Sequence, residues 1–259
     1  MHPVLFDFGF LSVKTYGVCI AVGFLLCWKI LEKLSGRKDL GDLLVWLMAS
    51  GVIGARTAYV IEHWNTQFAA SPLEIFRVDK GGLVFYGGLL ASIAVFFAWC
   101  AAKKARRLEL ADLLCVVIPL GHACGRIGCF FYGCCWGRLS DSAFAVRFPA
   151  GSPAWHDQLS KGLIASSAPA ALPVLPAQLF EAALLLPLFA LLLAIWFKWR
   201  RGTAGAYLCG YAAIRFCTEF LRGDPRAGVF GLSIGQTISI FIFLAGVAFL
   251  CAAKKRTAQ

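Results

Sequence analysis

Charge is scarce in this sequence. Only 15% of its 259 residues are Asp, Glu, Lys or Arg, against roughly 25% in a soluble domain, which excludes a water-soluble globular protein. Low-complexity runs are missing, which excludes disordered and fibrous classes. The 11 cysteines lack the regular spacing of a secreted disulfide scaffold. No internal repeat is present, and no ten-residue segments alternate between apolar and polar as in an outer-membrane barrel. The first basic residue is Lys14, so the first apolar run is expected to be a retained helix rather than a cleaved signal. What remains is 59% hydrophobic with a mean hydropathy of +0.73. That composition describes an all-α integral membrane protein.

About 20 apolar residues cross a bilayer core, and seven stretches qualify: roughly 12–32, 42–62, 82–102, 110–135, 177–197, 203–221 and 231–252. Dense basic charge falls at alternate ends of these stretches. It comprises Lys33, Arg37 and Lys38; Lys103, Lys104, Arg106 and Arg107; Lys198, Arg200 and Arg201; and Lys254, Lys255 and Arg256. The positive-inside rule puts these four clusters in the cytoplasm, the N-terminus outside and the C-terminus inside. The net charge of +11 is thus read as topology and anionic-lipid contact, not nucleic-acid binding. Residues 136–176, rich in Ser, Ala and Pro toward their C-terminal side, interrupt the pattern and are expected to form a small extracytoplasmic cap. The reading is a single membrane domain over 1–259 carrying that insertion.

Charges inside a bilayer cost at least about 2.5 kcal/mol each. Arg56, Arg126 and Arg215 nevertheless lie within or near the outer ends of their spans, with Glu181 and Glu219 in the same layer. Arg215, Glu219 and Arg222 share one helical stripe; His122, Arg126 and Cys129 share a second, and Arg56, Tyr59 and His63 a third. Glu219 is expected to hold Arg215, and Gln178 and Glu181 share the start of the fifth span. Guanidinium suits bidentate phosphate contact, so convergent arginines near the outer leaflet suggest an anionic lipid headgroup. Helix-orienting ion pairs are the alternative.

Two glycine-rich runs, Gly81–Gly88 and Gly121–Gly128, permit close helix approach and bracket Tyr86 and Arg126. Cys124, Cys129, Cys134 and Cys135 form a Cys-x4-Cys-x4-Cys-Cys run that matches neither zinc nor iron–sulfur spacing. The expectation is therefore no metal and no cofactor, with small-residue packing or an outer redox pair left open for the cysteines.

At Gly125-Arg126-Ile127-Gly128-Cys129-Phe130-Phe131-Tyr132-Gly133-Cys134-Cys135-Trp136-Gly137-Arg138 the chain resembles the GRxxNFxNGExxGR signature of the bacterial prolipoprotein diacylglyceryl transferase family. Further similarities follow in family order: His2-Pro3; Lys14-Thr15-Tyr16-Gly17; Gly54 to Val60, like GxRxxYV; Gly81 to Gly88, like GGxxFHGG. Leu175 to Glu181 is similar to HPSQLYE, Arg215 to Arg222 to RxxxEFxR, and Ser233 to Gln236 to SMGQ.

The resemblance implies a multi-pass enzyme of the bacterial inner membrane, its site toward the outer leaflet. Such enzymes move the diacylglyceryl group of phosphatidylglycerol to the lipobox cysteine of a prolipoprotein, forming a thioether and releasing glycerol phosphate. It implies catalytic roles for Arg126 and Arg215. Tyr86 stands where the family has a histidine proposed as base, and His122, one turn from Arg126, is the alternative base. Tyr16, Arg56, Gly137, Gln178, Glu181, Glu219 and Arg222 are the expected substrate-binding residues. Cys129, Tyr132 and Cys134 replace the signature's two asparagines and its glutamate. A related protein with another lipid or acceptor, and a thiol oxidoreductase using the Cys124–Cys135 cluster, are the rival readings.

Overall fold

The computed structural model describes residues 4–7, 12–77, 81–224, 228–229 and 231–255. His2-Pro3 and Arg256, used above, lie outside them. Each apolar stretch forms a long helix: α1 (Thr15–Ser35), α2 (Asp39–Glu62), α3 (Phe85–Ala102), α4 (Arg107–Tyr132), α6 (Ala177–Trp199), α7 (Thr203–Glu219) and α8 (Ile234–Lys255), with the short α5 (Pro153–Ser160) inside the insertion. Five of them (α2, α3, α4, α6 and α8) are long and apolar enough to cross a membrane, consistent with a multi-pass membrane protein. The only strands among the described residues are short: β1 (Val4–Asp7) pairs with β2 (Ser12–Lys14), and β3 (Gly228–Val229) with β4 (Leu232–Ser233).

The helices form two compact units, one running to Ile30 and resuming at Ala111, the other spanning Leu31–Leu110. In the second unit α2 and α3 cross at glycines. A Cβ on Gly54 would sit 2.5 Å from the Gly87 carbonyl oxygen, and one on Gly87 would sit 2.5 Å from that of Gly54. No side chain fits there, which is the close approach expected of the Gly81–Gly88 run.

The first unit is organised by a core between α4, α6 and α7. Ala182, Leu185, Leu188 and Leu192 of α6 pack with Ala123 of α4 and against Ile127, Tyr207, Tyr211 and Ile214. Glu181, Leu185, Leu188 and Leu192 recur at helical spacing, so Glu181 extends the buried stripe of α6. Asp112, a buried carboxylate on α4, caps the start of α7 by accepting a hydrogen bond from the Ala204 N–H at 2.9 Å. A side-chain oxygen there meets an orphan donor of the helix end.

Residues 136–176 have a core of their own, in which Trp136, Phe148, Ala154, Trp155, Ala171 and Val174 are buried together. Helix α5 starts where the Ser152 hydroxyl accepts from the Trp155 N–H and Pro153 occupies the first turn. Buried Gln158 ties the insertion together, accepting from the Leu172 N–H at 2.6 Å.

Candidate functional site

Backbone pairing brings the ends of three helices to one place. Past the end of α4, the Gly137 N–H donates to the Leu175 carbonyl at 2.8 Å and the Arg138 N–H to that of Leu221 at 2.8 Å. The segments after α4, before α6 and after α7 thus run side by side. Gly137 is required by this packing: a Cβ would lie 2.5 Å from Leu175 O and 2.7 Å from Leu221 O. The lack of a side chain at Gly137 thus has a structural reason.

Four ionisable side chains meet just inside this lattice. Glu181, with 1% of its side chain exposed, lies between two arginines. Its Oε1 is 2.9 Å from Arg126 Nη2, and its Oε2 is 3.6 Å from Arg215 Nη1. Arg215 Nη2 in turn lies 2.6 Å from Glu219 Oε2, the i,i+4 pair expected from the sequence. Buried ions need such partners, because desolvation costs several kcal/mol per charge. The two arginines and two glutamates sum to zero formal charge. Each carboxylate holds only part of a guanidinium fork, and Arg126 Nε and Arg215 Nη1 are buried with no hydrogen bond among the described residues. Buried N–H groups without an acceptor are costly, and Glu181 Oε1 and Glu219 Oε2 also lack a well-aligned donor among the described residues despite lying 2.9 and 2.6 Å from guanidinium nitrogens.

Glu219 is held by the start of α8. Ser233 donates to Glu219 Oε1 at 2.8 Å, while the Ser233 N–H donates to Gln236 Oε1 and the Gln236 N–H to Ser233 Oγ. That reciprocal pair is a capping box, which gives the Ser233–Gln236 segment a physical purpose the sequence reading did not supply.

The remaining expected residues divide. His122 Nε2 stands 3.6 Å from Glu181 Oε1, too far for a hydrogen bond, and its ring lies 5.3 Å from that of Tyr211. Buried Gln178 donates to the Cys134 carbonyl at 2.6 Å, so it positions the loop after α4. Tyr16, at the start of α1, packs on α4, where a Cβ at Gly128 would meet its ring at 3.0 Å. Arg222 is bidentate to Asp224, at 2.9 and 2.8 Å, rather than presenting a free fork. Tyr86 and Arg56 belong to the second unit. Tyr86 is half exposed, its ring 5.7 Å from that of Phe85.

Arg56 is a correction. Its Nε donates to Ile75 O, its Nη1 to Gly81 O and Gly82 O, and its Nη2 to Glu74 O and Arg77 O. Those bonds use all five guanidinium N–H groups, leaving none for a phosphate. Arg56 staples the α2–α3 connection. Arg56→Ala is therefore expected to cost on the order of 3 kcal/mol of stability, read as a lower Tm in detergent. Lysine should recover only part, since it cannot reproduce the planar fork. A site role would instead show as lost turnover with an unchanged Tm.

Sequence spacing also missed a cluster of sulfur. The Sγ atoms of Cys129, Cys134 and Cys135 lie within 4.8 Å of one another, each residue half-buried. Linear spacing hides the convergence: Gly133 and Cys135, with φ of +84° and +62°, fold the chain back on α4.

Comparison with known proteins bears on this arrangement. A family model described as prolipoprotein diacylglyceryl transferase matches residues 3–252. A protein of Pseudoalteromonas translucida named phosphatidylglycerol–prolipoprotein diacylglyceryl transferase is 33% identical over 275 residues, covering 100% of this chain and 95% of that protein. A Vibrio cholerae protein of the same name is 35% identical, covering 99% and 93%. One from Idiomarina loihiensis is 31% identical, covering 99% and 94%.

Proposed function

The chain belongs to the prolipoprotein diacylglyceryl transferase family, and from that premise we propose how its site works. It is a transferase that moves the diacylglyceryl group of phosphatidylglycerol to a prolipoprotein. The acceptor is the thiol of a lipobox cysteine, and the products are a thioether and glycerol phosphate. The observation that carries the site assignment is the convergence of Arg126 and Arg215 on buried Glu181, with Arg126 Nε and Arg215 Nη1 making no hydrogen bond among the described residues.

The acceptor sulfur attacks the glycerol carbon that bears the phosphate ester. A C–S bond forms, the C–O bond breaks, and its electron pair leaves with the phosphate. A diester with one negative charge becomes a monoester with two, so the arginine bonds strengthen as the reaction proceeds. Donors aimed at developing charge raise kcat rather than binding alone. Glu181 and Glu219 hold the forks in place, and their charges keep the buried cluster neutral before lipid arrives.

The thiol must be ionised to attack well. Tyr86 has a hydroxyl with a reference pKa near 10, which suits a hydrogen-bond partner better than a base. Tyr86→Phe is expected to lower initial rates about tenfold, the worth of one neutral hydrogen bond. His122→Ala should cost as much or more if His122 takes the proton. A thousandfold loss in Tyr86→Phe with His122→Ala silent would make the tyrosine the base.

In this proposal the chain crosses the bacterial inner membrane seven times, N-terminus outside and C-terminus inside, with the site toward the outer leaflet. The alternating Lys/Arg clusters support that orientation. The functional test is incubation of purified protein with phosphatidylglycerol and a lipobox peptide. The cysteine peptide should gain the mass of a diacylglyceryl group and its serine counterpart should not. No mass gain on the cysteine peptide would end this reading.

A further inference from the structure

Three thiols converge where α4 ends. Cys129 lies in its last turn, and Cys134 and Cys135 follow the turn at Gly133. Thiolate–zinc bonds of about 2.3 Å put the sulfurs of a tetrahedral site roughly 3.8 Å apart. Sulfurs already within 4.8 Å need to close by only about 1 Å to meet that geometry. The Arg222 guanidinium sits in the field of Cys135, and Arg126 in that of Cys129 and Cys135. Three thiolates with a divalent cation carry one net negative charge, beside two guanidiniums that are each already paired with a carboxylate. The loop is itself secured, since Gln178 donates to the Cys134 carbonyl.

We propose that Cys129, Cys134 and Cys135 bind Zn(II) as a three-thiolate centre whose open fourth position takes the acceptor cysteine sulfur. Three protein ligands with a fourth position open is the pattern of a catalytic rather than a structural zinc site. No histidine or carboxylate joins the cluster among the described residues. The inference rests on the transferase reading above and gives the acceptor thiol a route to ionisation other than proton transfer to His122 or Tyr86. When the acceptor thiol binds the metal, its proton passes to water and the sulfur is held as thiolate. The metal-bound sulfur then attacks the glycerol carbon. The C–S bond forms, the C–O pair departs with glycerol phosphate, and the neutral thioether, a weaker ligand, leaves the zinc. No electrons are gained or lost overall.

The test uses the full chain, purified under reducing conditions in lipid nanodiscs. Loaded with zinc and dialysed, it should retain about one ion per chain, and Cys134→Ser and Cys135→Ser should each lose most of it. Cobalt(II) in place of zinc should show thiolate-to-metal charge-transfer absorption that changes when a lipobox peptide is added, but not with its serine counterpart. Removing the metal should slow transfer about 10²-fold or more, as loss of a general base does, and zinc should restore it. The inference fails if the reduced protein retains no zinc, or if the triple serine variant retains as much as the parent. It also fails if metal-free protein transfers at the full rate, an outcome that leaves the transferase reading standing. Zinc bound through the three cysteines, with a peptide-dependent cobalt spectrum and no transfer from phosphatidylglycerol, would uphold the metal centre and overturn the transferase reading.

Discussion

Purified Arg126→Ala and Arg215→Ala proteins are expected to insert and fold but to transfer diacylglyceryl at rates lower by about 10²–10³ each, the usual cost of removing a preorganised donor from charge that develops in the transition state. The two substitutions take different parts of the cluster. Alanine at 126 removes the closer partner of Glu181, 2.9 Å away, together with a buried Nε that has no hydrogen bond among the described residues. Alanine at 215 removes the group linking Glu181 to Glu219. Arg126→Lys should recover little, because an ammonium keeps the charge but cannot offer two coplanar donors. Initial rates, normalised to folded protein, decide the matter. Near-parental turnover of either alanine variant would make these arginines helix-orienting ion pairs and nothing more.

Glu181→Gln should give the second-largest effect, with a distinctive signature. The substitution keeps the shape and leaves the buried cluster with an excess positive charge. A phosphate should therefore bind at least as well, while the forks, no longer clamped by a shared carboxylate, lose their aim. We expect kcat to fall about 10²-fold with no rise in KM for phosphatidylglycerol. A mutation that removes an interaction needed only in the transition state behaves in this way. The opposite split, a raised KM with kcat intact, would mean that Glu181 merely helps to build the ground-state pocket.

Long apolar runs placed every long helix among the described residues, because a bilayer demands unbroken apolar runs. The residues from 177 to 199 show how legible such a run is, forming α6 as one continuous helix. The Arg215–Glu219 pair was equally readable, since i,i+4 neighbours meet whatever the rest of the fold does. Contacts between helices were not readable. Glu181 as the shared partner of Arg126 and Arg215 depends on how α4, α6 and α7 pack, which no single periodicity encodes. Arg56 was misjudged for the same reason, because its five acceptors lie between residues 74 and 82. The cysteines illustrate a third failure. Motif spacing presumes ordinary backbone, and the left-handed turn at Gly133 and Cys135 brings together sulfurs that spacing keeps apart. The Ser233–Gln236 segment was legible as a motif, but its support of Glu219 is visible only in the folded chain.

Native mass spectrometry of lipid binding bears most directly on the central claim that Arg126 and Arg215 hold the phosphate of phosphatidylglycerol. It separates binding from chemistry. The parent protein, released from detergent with limiting phosphatidylglycerol, should retain one such lipid in preference to phosphatidylcholine. The doubly substituted Arg126→Ala, Arg215→Ala protein should lose that preference, with apparent affinity reduced at least about tenfold, the worth of a charge-assisted hydrogen bond. Equal retention of phosphatidylglycerol by the parent and the double variant would contradict the claim and place the lipid phosphate elsewhere.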